Sequence, residues 1–328
     1  MRCIYNSSTH PQFNLACEEY LLKNADDDIF MLWRNTPAII VGKHQNTLAE
    51  INQEYVKQND IHVVRRLTGG GAVFHDLGNI NFTFIMNANE PHSNLIDFRK
   101  YTLPILEVLQ KLGINARFEG RNDLTIDGRK FSGNAEHVYK NRVLHHGTLL
   151  FSSKLPDLSA ALQVDPSKFQ DKAVKSVRSR VTNISEHLKE PLTVLEFKDM
   201  IMQHIMEMYP DANSYTLNED DHDEINKLVK AKYSTWDWNF GQSPQYNLRK
   251  VTRTNAGTIE FDLLVSKGKI ESCKIFGDFF GMYDVEDIEQ ALIGVSHTEA
   301  SVNEALAHLD LTLYFNNLAP EELIRCIF

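Results

Sequence analysis

The sequence predicts an α+β protein with a large amino-terminal unit and a small carboxy-terminal α+β unit. Its 328 residues suit one large domain or two. Residues 1–245 mix short apolar runs typical of strands with amphipathic segments typical of helices. Beyond residue 255, two alternating runs joined at Lys267-Gly268 precede two helical segments, which predicts a hairpin covered by helices. We therefore place the domains at 1–245 and 246–328.

Composition excludes several protein classes. Apolar residues make up 42% of the chain and charged residues 24%, which is ordinary for a globular protein. The formal net charge of −10 argues against nucleic acid as a partner. The four cysteines are scattered without a C-x-x-C pair, which fits a reducing compartment and disfavours a disulfide framework or zinc site. The first residues lack a signal-peptide core and no apolar run is long enough to span a membrane, so we expect a cytoplasmic, membrane-free protein.

The first predicted helix covers residues 13–22, where apolar side chains recur at helical spacing. Cys17 lies on the apolar stripe, which indicates core packing and not a nucleophile. Glu18 and Glu19 are expected to point outward.

The elements up to residue 112 follow the same patterns. Runs 29–33 and 38–41 flank Asn35-Thr36-Pro37 and predict a hairpin. Asn81 and Thr83 alternate with apolar residues, which predicts a strand with one buried face. The further predictions are helices at 51–58 and 95–112 and strands at 61–66, 72–75 and 81–86.

Past residue 112, Asp127-Gly128 predicts a tight turn between two short strands. A strand at 143–151 carries His145 and His146 on opposite faces, which makes them a poor metal pair. We assign both to packing and hydrogen bonding. Helices are predicted at 155–162, 167–172, 194–209, 220–232, 285–292 and 301–309. The aromatic residues within 236–241 are expected to anchor the end of the first domain. A linker is predicted to begin at residue 244.

The most informative stretch is RRLTGGGAVFHD at residues 65–76. Three consecutive glycines lose much backbone entropy on ordering, and a fold tolerates them where backbone approaches a ligand or adopts positive φ. The paired guanidiniums suit phosphate or carboxylate. No Gly-Lys-Ser/Thr follows, which excludes a P-loop, and the spacing is not that of a dinucleotide-binding fingerprint. The alternative is a mobile glycine turn between strands, with solvated arginines.

A second informative stretch is GRNDLTIDGRKFSGNA at residues 120–135. Lys130 follows the tight turn, and the small residues after it leave room beside its side chain. Asn122 and Asp123 are candidates to hold a hydrated cation with phosphates. Further along, the basic, Ser/Thr-rich loop at 176–184 is either a solvated connection or a flexible cover over an anionic ligand.

Together these stretches resemble the biotin/lipoate ligase superfamily, and most closely its lipoate–protein ligases of the two-domain bacterial type. The resemblance spans most of residues 1–245, and roughly the last 75 residues fit that family's accessory domain. It implies a large mixed-sheet catalytic domain with a small α+β accessory domain. The residues that carry it are 14–16, 18–19, 65–76, 79, 120–124, 130–135, 145–150 and 176–183.

The resemblance implies two half-reactions. Lipoate and ATP give lipoyl-adenylate and pyrophosphate, and the lipoyl group then passes to a lysine of an acceptor domain. Acceptors of this family are E2 subunits of 2-oxoacid dehydrogenases and the glycine cleavage H protein. Lys130 matches the family's catalytic lysine, which bridges the lipoyl carboxyl oxygen and the α-phosphate.

The resemblance also implies site residues and cofactors. Mg²⁺ accompanies ATP as the activating ion, with Asp123 as candidate ligand, and no tightly bound metal is expected. Lipoate contacts are assigned to Arg65, Gly70, Gly71 and Lys130. ATP contacts are assigned to Arg66, Gly71, Ala72, Val73, Phe74, Lys130, Arg178 and Arg180.

Three alternatives remain open at this point. An octanoyl- or lipoyl-transferase of the same fold moves its acyl group through a cysteine thioester, which needs a reactive, partly exposed thiol. A noncatalytic lipoate-binding or regulatory protein would not need Lys130 and both arginines. A biotin ligase normally carries a different glycine loop. Pyrophosphate release with lipoate, octanoate and biotin discriminates among them.

Overall fold

The computed structural model describes residues 1–87, 97–162, 181–241, 247–266, 268–316 and 318–328. The predicted helix at 167–172, the loop arginines Arg178 and Arg180 and most of the predicted linker lie outside these residues. The predicted domain boundary at 245/246 falls among residues 242–246, which lie outside the described ranges, and it stays a prediction.

Helices and strands are interspersed along the chain. The strands are β1 Arg2–Tyr5, β2 Ile29–Trp33, β3 Ala38–Val41, β4 His62–Arg65, β5 Val73–His75, β6 Asn79–Asn87, β7 Ala116–Glu119, β8 Asp123–Ile126, β9 Arg129–Tyr139, β10 Arg142–Leu150, β11 Asn213–Tyr215, β12 Leu248–Thr254, β13 Gly257–Ser266 and β14 Lys269–Gly277. The α-helices are α1 Pro11–Asn24, α2 Thr47–Glu50, α3 Gln53–Gln58, α4 Phe98–Lys111, α5 Leu155–Ala161, α6 Val194–Met208, α7 Glu219–Leu228, α8 Trp236–Asn239, α9 Glu286–Leu292, α10 Glu299–Leu306 and α11 Pro320–Ile327.

A large mixed sheet forms the body of the amino-terminal unit, which confirms the expected fold class. Within the described residues it has eight strands in the order β11-β1-β2-β6-β10-β9-β8-β7. β1 runs parallel to β2 and β11, and the other pairs are antiparallel. The register places Trp33 opposite Asn81, Asn81 opposite Thr148, and Gly147 opposite Asn134. Trp33, Asn81 and Thr148 therefore form one row across β2, β6 and β10, and Gly147 and Asn134 lie in the neighbouring row.

Helices cover both faces of this sheet. On β2, Phe30 and Leu32 pack into the core with α4 and α6, whereas Met31 and Trp33 pack with α1 on the other face. A strand buried on both faces reads as a continuous apolar run, as IFMLW does.

Two exposure predictions in this region are wrong for the same reason. Asn81 and Thr83 are buried and not on a solvent face, because α1 covers their side of the sheet. Glu18 and Glu19 are each only 2% exposed. Helix α1 packs between the sheet and the helical segment of α7 and the following π-turn Val229–Tyr233, so its polar side meets protein and not water.

A second sheet has the order β4-β3-β5. The predicted hairpin of residues 29–33 and 38–41 is wrong, because β2 and β3 belong to different sheets. β3 pairs in parallel with β4 and antiparallel with β5, and the intervening segment is held by the Thr36 N–H donating to the Thr9 carbonyl at 2.9 Å. This sheet positions Arg65 at the end of β4 and the glycine loop immediately after it.

The carboxy-terminal unit has its own core around Phe261, Phe279, Phe315 and Leu323. Its antiparallel sheet has the order β12-β13-β14, and the predicted hairpin is the β13–β14 pair. β12 and α11 were not predicted. Residues of β12 alternate between half-buried and exposed positions, so its LRKVTRT sequence has little apolar signal.

The two units meet at the glycine loop. The Gly70 N–H donates to the Phe279 carbonyl at 3.3 Å, and the Gly277 N–H donates to the His44 carbonyl at 2.7 Å. Arg121 donates to the Asp278 carbonyl at 3.0 Å and stacks its guanidinium 4.6 Å from the Phe280 ring centre. The carboxy-terminal unit therefore supports the outer side of the loop. No helix in the described ranges has the length and apolarity to cross a membrane.

Candidate active site

A cavity lies between the large sheet and the glycine loop. Its apolar wall contains Leu15, Trp33 and Ile40. Six of the predicted site residues line it: Arg66, Gly70, Gly71, Ala72, Val73 and Lys130. The structure thus brings together residues 65–76 and residues 120–135, which are some 55 residues apart in the sequence.

The strand register gives the cavity a direction. On the side of the large sheet, its lining residues lie on β2, β6, β10 and β9, which are consecutive neighbours in that sheet. Three strand spacings separate β2 from β9, or about 14 Å at the usual spacing. Trp33 on β2 therefore marks one end of the cavity, and Lys130 on β9 marks the other.

Lys130 sits just past the Asp127-Gly128 turn, whose positive φ angles of 51° and 69° match a tight hairpin. Its Nζ is 2.7 Å from Asp123 Oδ1, and the two side chains are 40% and 37% exposed. A Cβ at Gly133 would lie 2.9 Å from that Nζ, so the glycine leaves the lysine space to hold this position. The predicted room for Lys130 is confirmed.

The backbone of Lys130 is tied to the end of the basic loop. The Thr182 N–H donates to the Lys130 carbonyl at 3.0 Å, and Val181 forms a parallel bridge with Lys130. Arg178 and Arg180 precede this point and lie outside the described residues, so their predicted ATP contacts stay predictions.

The three glycines of the loop have different surroundings. A Cβ at Gly69 would lie 2.3 Å from the Phe279 carbonyl oxygen, so Gly69 allows the carboxy-terminal unit to approach. Gly70 has φ of +90°, where other residues are strained. A Cβ at Gly71 would meet no protein atom within 4 Å, although Gly71 lines the cavity. Gly71 therefore leaves cavity space open.

Arg66 organises this loop from within. Its Nη2 donates to the carbonyls of Gly69 and Gly71 at 2.7 and 2.9 Å, and its Nε donates to Thr68 Oγ1 at 2.8 Å. Burial lowers the pKa of the guanidinium to about 10, which leaves it charged at neutral pH. Because Arg66 also lines the cavity, its fixed positive charge is available to an anionic ligand.

The structure does not bring Arg65 or Phe74 side chains into the cavity. Arg65 is 1% exposed and its guanidinium donates to backbone carbonyls, among them Gly42, Gln45 and Trp238 at 2.7–2.9 Å. Phe74 packs in a separate apolar cluster with Ile39 and Val41. The predicted anchor at 236–241 is where Arg65 is held, since Trp238 Nε1 also donates to the Arg65 carbonyl at 2.9 Å.

Replacing Arg65 by Met should lower the free energy of unfolding by about 3 kcal/mol or more, because several buried carbonyls lose a charged donor. Urea denaturation measures the effect, with Arg117→Met as an exposed control. Normal stability together with lost lipoate affinity would instead support the predicted ligand contact of Arg65.

A hydrogen-bonded chain beside the cavity was missed from the sequence. The Trp33 Nε1–H donates to Thr83 Oγ1 at 2.9 Å, and the Thr83 hydroxyl donates to Glu18 Oε1 at 2.6 Å. Glu18 lies 3.0 Å from His146 Nδ1, whose Nε2 is 2.8 Å from Thr68 Oγ1. Since Thr68 accepts from Arg66, the chain links the apolar end of the cavity to the arginine.

No sequence signal marked Glu18 or His146 as part of this chain. In the sequence, Glu18 and Glu19 are typical of a pair of solvent-exposed carboxylates. Only the tertiary packing shows that Glu18 is buried. The predicted hydrogen bonding of His146 is confirmed, and the residue also lines the cavity. The uncommon feature that the sequence does offer is the polar row Asn79, Asn81 and Thr83 in an otherwise apolar strand.

The predicted role of His145 in packing and hydrogen bonding is confirmed, and the residue lies on the face of β10 opposite His146. It is fully buried and its Nδ1 lies 2.8 Å from Glu136 Oε1. Burial lowers the pKa of His145 well below its ordinary value and raises that of Glu136 well above. The described residues contain no group of three or more His, Cys, Asp or Glu side chains arranged to hold a metal.

Comparisons with known proteins cover nearly the whole chain. The family model described as lipoyl protein ligase A/B catalytic domain matches residues 10–206, and the bacterial lipoate protein ligase C-terminus matches residues 243–327. A Staphylococcus aureus protein named lipoate–protein ligase 1 is 46% identical over 98% of this chain and 97% of its own length.

Solved structures give the same result. The structure of P. falciparum LipL1 in complex with lipoate has a TM-score of 0.81 at 26% identity and covers 99% of this chain and 97% of its own. A lipoate–protein ligase A bound with ATP has a TM-score of 0.65 at 27% identity, covering 73% of this chain and 98% of its own.

Proposed function

Because the chain belongs to the lipoate–protein ligase family, we propose that it activates lipoate with ATP and transfers the lipoyl group to a lysine of an acceptor protein. The observation that carries this proposal is the cavity with Lys130 at one end and an apolar wall at the other, under the glycine loop. A charged end and an apolar end suit an acid with a long apolar chain. The related structures that contain lipoate and ATP support both substrates.

In the first step, a carboxylate oxygen of lipoate attacks the α-phosphorus of ATP. The new carbon–oxygen–phosphorus anhydride forms as the bond to the β-phosphate oxygen breaks, and pyrophosphate leaves. Two anions must approach each other, so preorganised cations supply much of the stabilisation. Lys130 is exposed enough to contact both groups, and Arg66 adds a fixed charge at the loop.

The glycine loop is proposed to hold the nucleotide. Backbone atoms of Gly71, Ala72, Val73 and Phe74 are the proposed ATP contacts, and the open space at Gly71 supports close approach there. Gly70 and Lys130 are proposed to border the lipoyl carboxylate. Arg178 and Arg180 are proposed to cover the adenylate, on the resemblance of their loop to that of the family.

In the second step, the neutral ε-amine of an acceptor lysine attacks the acyl carbonyl carbon. The bond from that carbon to the AMP oxygen breaks, an amide forms, and the proton of the amine is released. Lys130 is proposed to stabilise the oxyanion that develops. We propose lipoyl domains of 2-oxoacid dehydrogenase E2 subunits and the glycine cleavage H protein as acceptors.

Mg²⁺ is proposed as the activating ion that arrives with ATP. Mg²⁺ in nucleotide sites is commonly held by one or two carboxylates together with phosphates. Asp123 supplies such a carboxylate beside Lys130, and the neighbouring Asn122 lines the cavity, so the residues fit the ion. When bound, Mg²⁺ would offset phosphate charge.

The cysteines disfavour the thioester-transferase alternative. Cys3, Cys17, Cys273 and Cys326 are all buried, and burial raises the pKa of each thiol. None is among the described residues that line the cavity. Acyl transfer through cysteine needs a thiolate near the acyl group. We propose that the ligase acts in the cytoplasm, where such thiols stay reduced.

Pyrophosphate release tests the proposal directly. With ATP and Mg²⁺, lipoate should stimulate release, and an apo-acceptor domain should then gain the mass of one lipoyl group. Acyl transfer to the acceptor without ATP would contradict the ligase assignment and favour the transferase.

Acid selectivity provides a further prediction. Octanoate shares the carboxylate and much of the apolar length of lipoate, and an apolar pocket separates such ligands by only about 1–3 kcal/mol. Octanoate should therefore be used with reduced kcat/KM, and biotin should be rejected far more strongly because burying the two N–H donors of its ureido ring in a largely apolar cavity costs free energy. Measuring kcat/KM for the three acids checks this. A preference for biotin over octanoate would overturn the substrate assignment.

A further inference from the structure

We propose that His75 is a specificity-determining residue, whose Nε2–H recognises a hydrogen-bond acceptor at the far end of the bound acyl chain. This inference rests on the proposed function, because it takes the acyl chain to occupy the cavity. The ligand class is a carboxylic acid with an apolar chain, whose far end carries a group that can accept a hydrogen bond but cannot donate one. The sulfur atoms of a dithiolane ring are weak acceptors of this kind.

The hydrogen bonds of His75 fix which ring nitrogen carries the proton. Nδ1 lies 3.0 Å from Asn35 Nδ2 and 3.5 Å from Asn81 Nδ2, and both amide nitrogens are donors. The orientation of Asn35 is set in turn, because Asn35 Oδ1 accepts from the side-chain amide of Asn14 at 2.8 Å. Nδ1 is therefore an acceptor, and the proton of the neutral ring must be on Nε2.

Backbone carbonyls anchor this amide network. Asn14 Nδ2 also donates to the carbonyls of Ser8 and Arg34 at 3.1 and 3.0 Å. A carbonyl can only accept, so the orientation of Asn14 is determined, and that of Asn35 follows from it. The backbone carbonyls of Ser8 and Arg34 thus determine the tautomer of His75 through the side chains of Asn14 and Asn35.

The ring is neutral as well as oriented. Burial lowers the pKa of His75 to about 3, and the nearby charge of Arg66 and the ring of His146 act in the same direction. At neutral pH His75 therefore presents one acceptor, which is used by the amides, and one donor.

That donor has no partner among the residues that the structure describes. His75 is 3% exposed, its Nε2 is fully buried, and the residue lines the cavity. A buried donor without an acceptor costs free energy, so an isolated N–H in a cavity favours a ligand that supplies one.

The position of His75 assigns it to the distal end of the ligand. Its ring lies 6.0 Å from the Trp33 ring, edge to face, and Trp33 marks the end of the cavity opposite Lys130. With the carboxylate at Lys130, the far end of the acyl chain would reach the region of Trp33 and His75. Octanoate would leave the N–H unpaired there, whereas lipoate offers sulfur.

The discriminating experiment compares two substrates in three proteins. His75→Phe removes the donor and keeps an aromatic ring, and His75→Gln keeps an N–H donor. We expect His75→Phe to lower the lipoate-to-octanoate ratio of kcat/KM by about tenfold, the scale of one modest hydrogen bond. His75→Gln should retain much of the wild-type ratio. A folded His75→Phe with an unchanged ratio, or with equal losses for both acids, would overturn the proposal.

A spectroscopic measurement keeps the proposal testable if His75→Phe does not fold. The imidazole ¹⁵N–¹H correlations of the wild-type protein should show His75 as the Nε2-protonated tautomer, and lipoate should shift its Nε2–H signal more than octanoate does. Equal shifts or the other tautomer would overturn it. Failure of the proposed function is distinct, because then wild-type protein would release no pyrophosphate with either acid.

Discussion

Lys130→Ala is expected to reduce lipoate-dependent pyrophosphate release by about 100-fold or more, the scale for losing one preorganised charge donor. The side chain is partly exposed and its ion pair is with the similarly exposed Asp123, so the fold should not depend on it. Quenched-flow or coupled assays of pyrophosphate measure the rate, and thermal unfolding measures the fold.

Lys57→Ala provides a matched control, because Lys57 is an exposed lysine near the end of α3 that does not line the cavity. It should leave the rate unchanged. A wild-type rate in Lys130→Ala would remove the catalytic assignment, and loss of rate with lost thermal stability would call for Lys130→Met instead.

Gly70→Val is the second substitution with a large expected effect, and it should abolish binding of lipoate and ATP together. Gly70 has φ of +90°, and its new Cβ would lie 3.0 Å from Arg66 Nη2 and 3.1 Å from the Phe280 ring. Strain in the backbone and displacement of the arginine would both distort the loop. Calorimetric titration with each ligand measures the loss.

Gly71→Ala separates ligand blocking from loop distortion. Its Cβ would meet no protein atom within 4 Å, so stability should stay near wild type while affinity for ATP falls. Unchanged affinities in both glycine variants would mean that the loop is only a turn, as in the alternative interpretation of the sequence.

Local signals in the sequence are enough to find the main site stretches. Glycine is chosen for space or backbone angle, and both reasons are visible at Gly70, Gly71 and Gly133. Helix α1 and the β13–β14 hairpin likewise follow from periodicity and turn residues over a few positions. Such features depend on neighbours in the sequence, which is why they could be predicted.

Features that depend on distant partners could not be predicted. Arg65 and Arg66 are adjacent and chemically identical, and extended backbone points them in opposite directions. Which one faces the cavity depends on α8, over 170 residues away, which holds Arg65. The burial of Glu18 and the tautomer of His75 likewise require the packed helix and the amide network.

The burial of the four thiols has a consequence for handling the substrate. A dithiolane ring is a strained disulfide, and a nearby thiolate would open it by exchange to form a mixed disulfide. Burial raises the pKa of each thiol, and no cysteine is found among the described residues lining the cavity. The enzyme should therefore turn over oxidised lipoate without trapping itself, and mass spectrometry of the recovered protein should show no lipoyl adduct on cysteine.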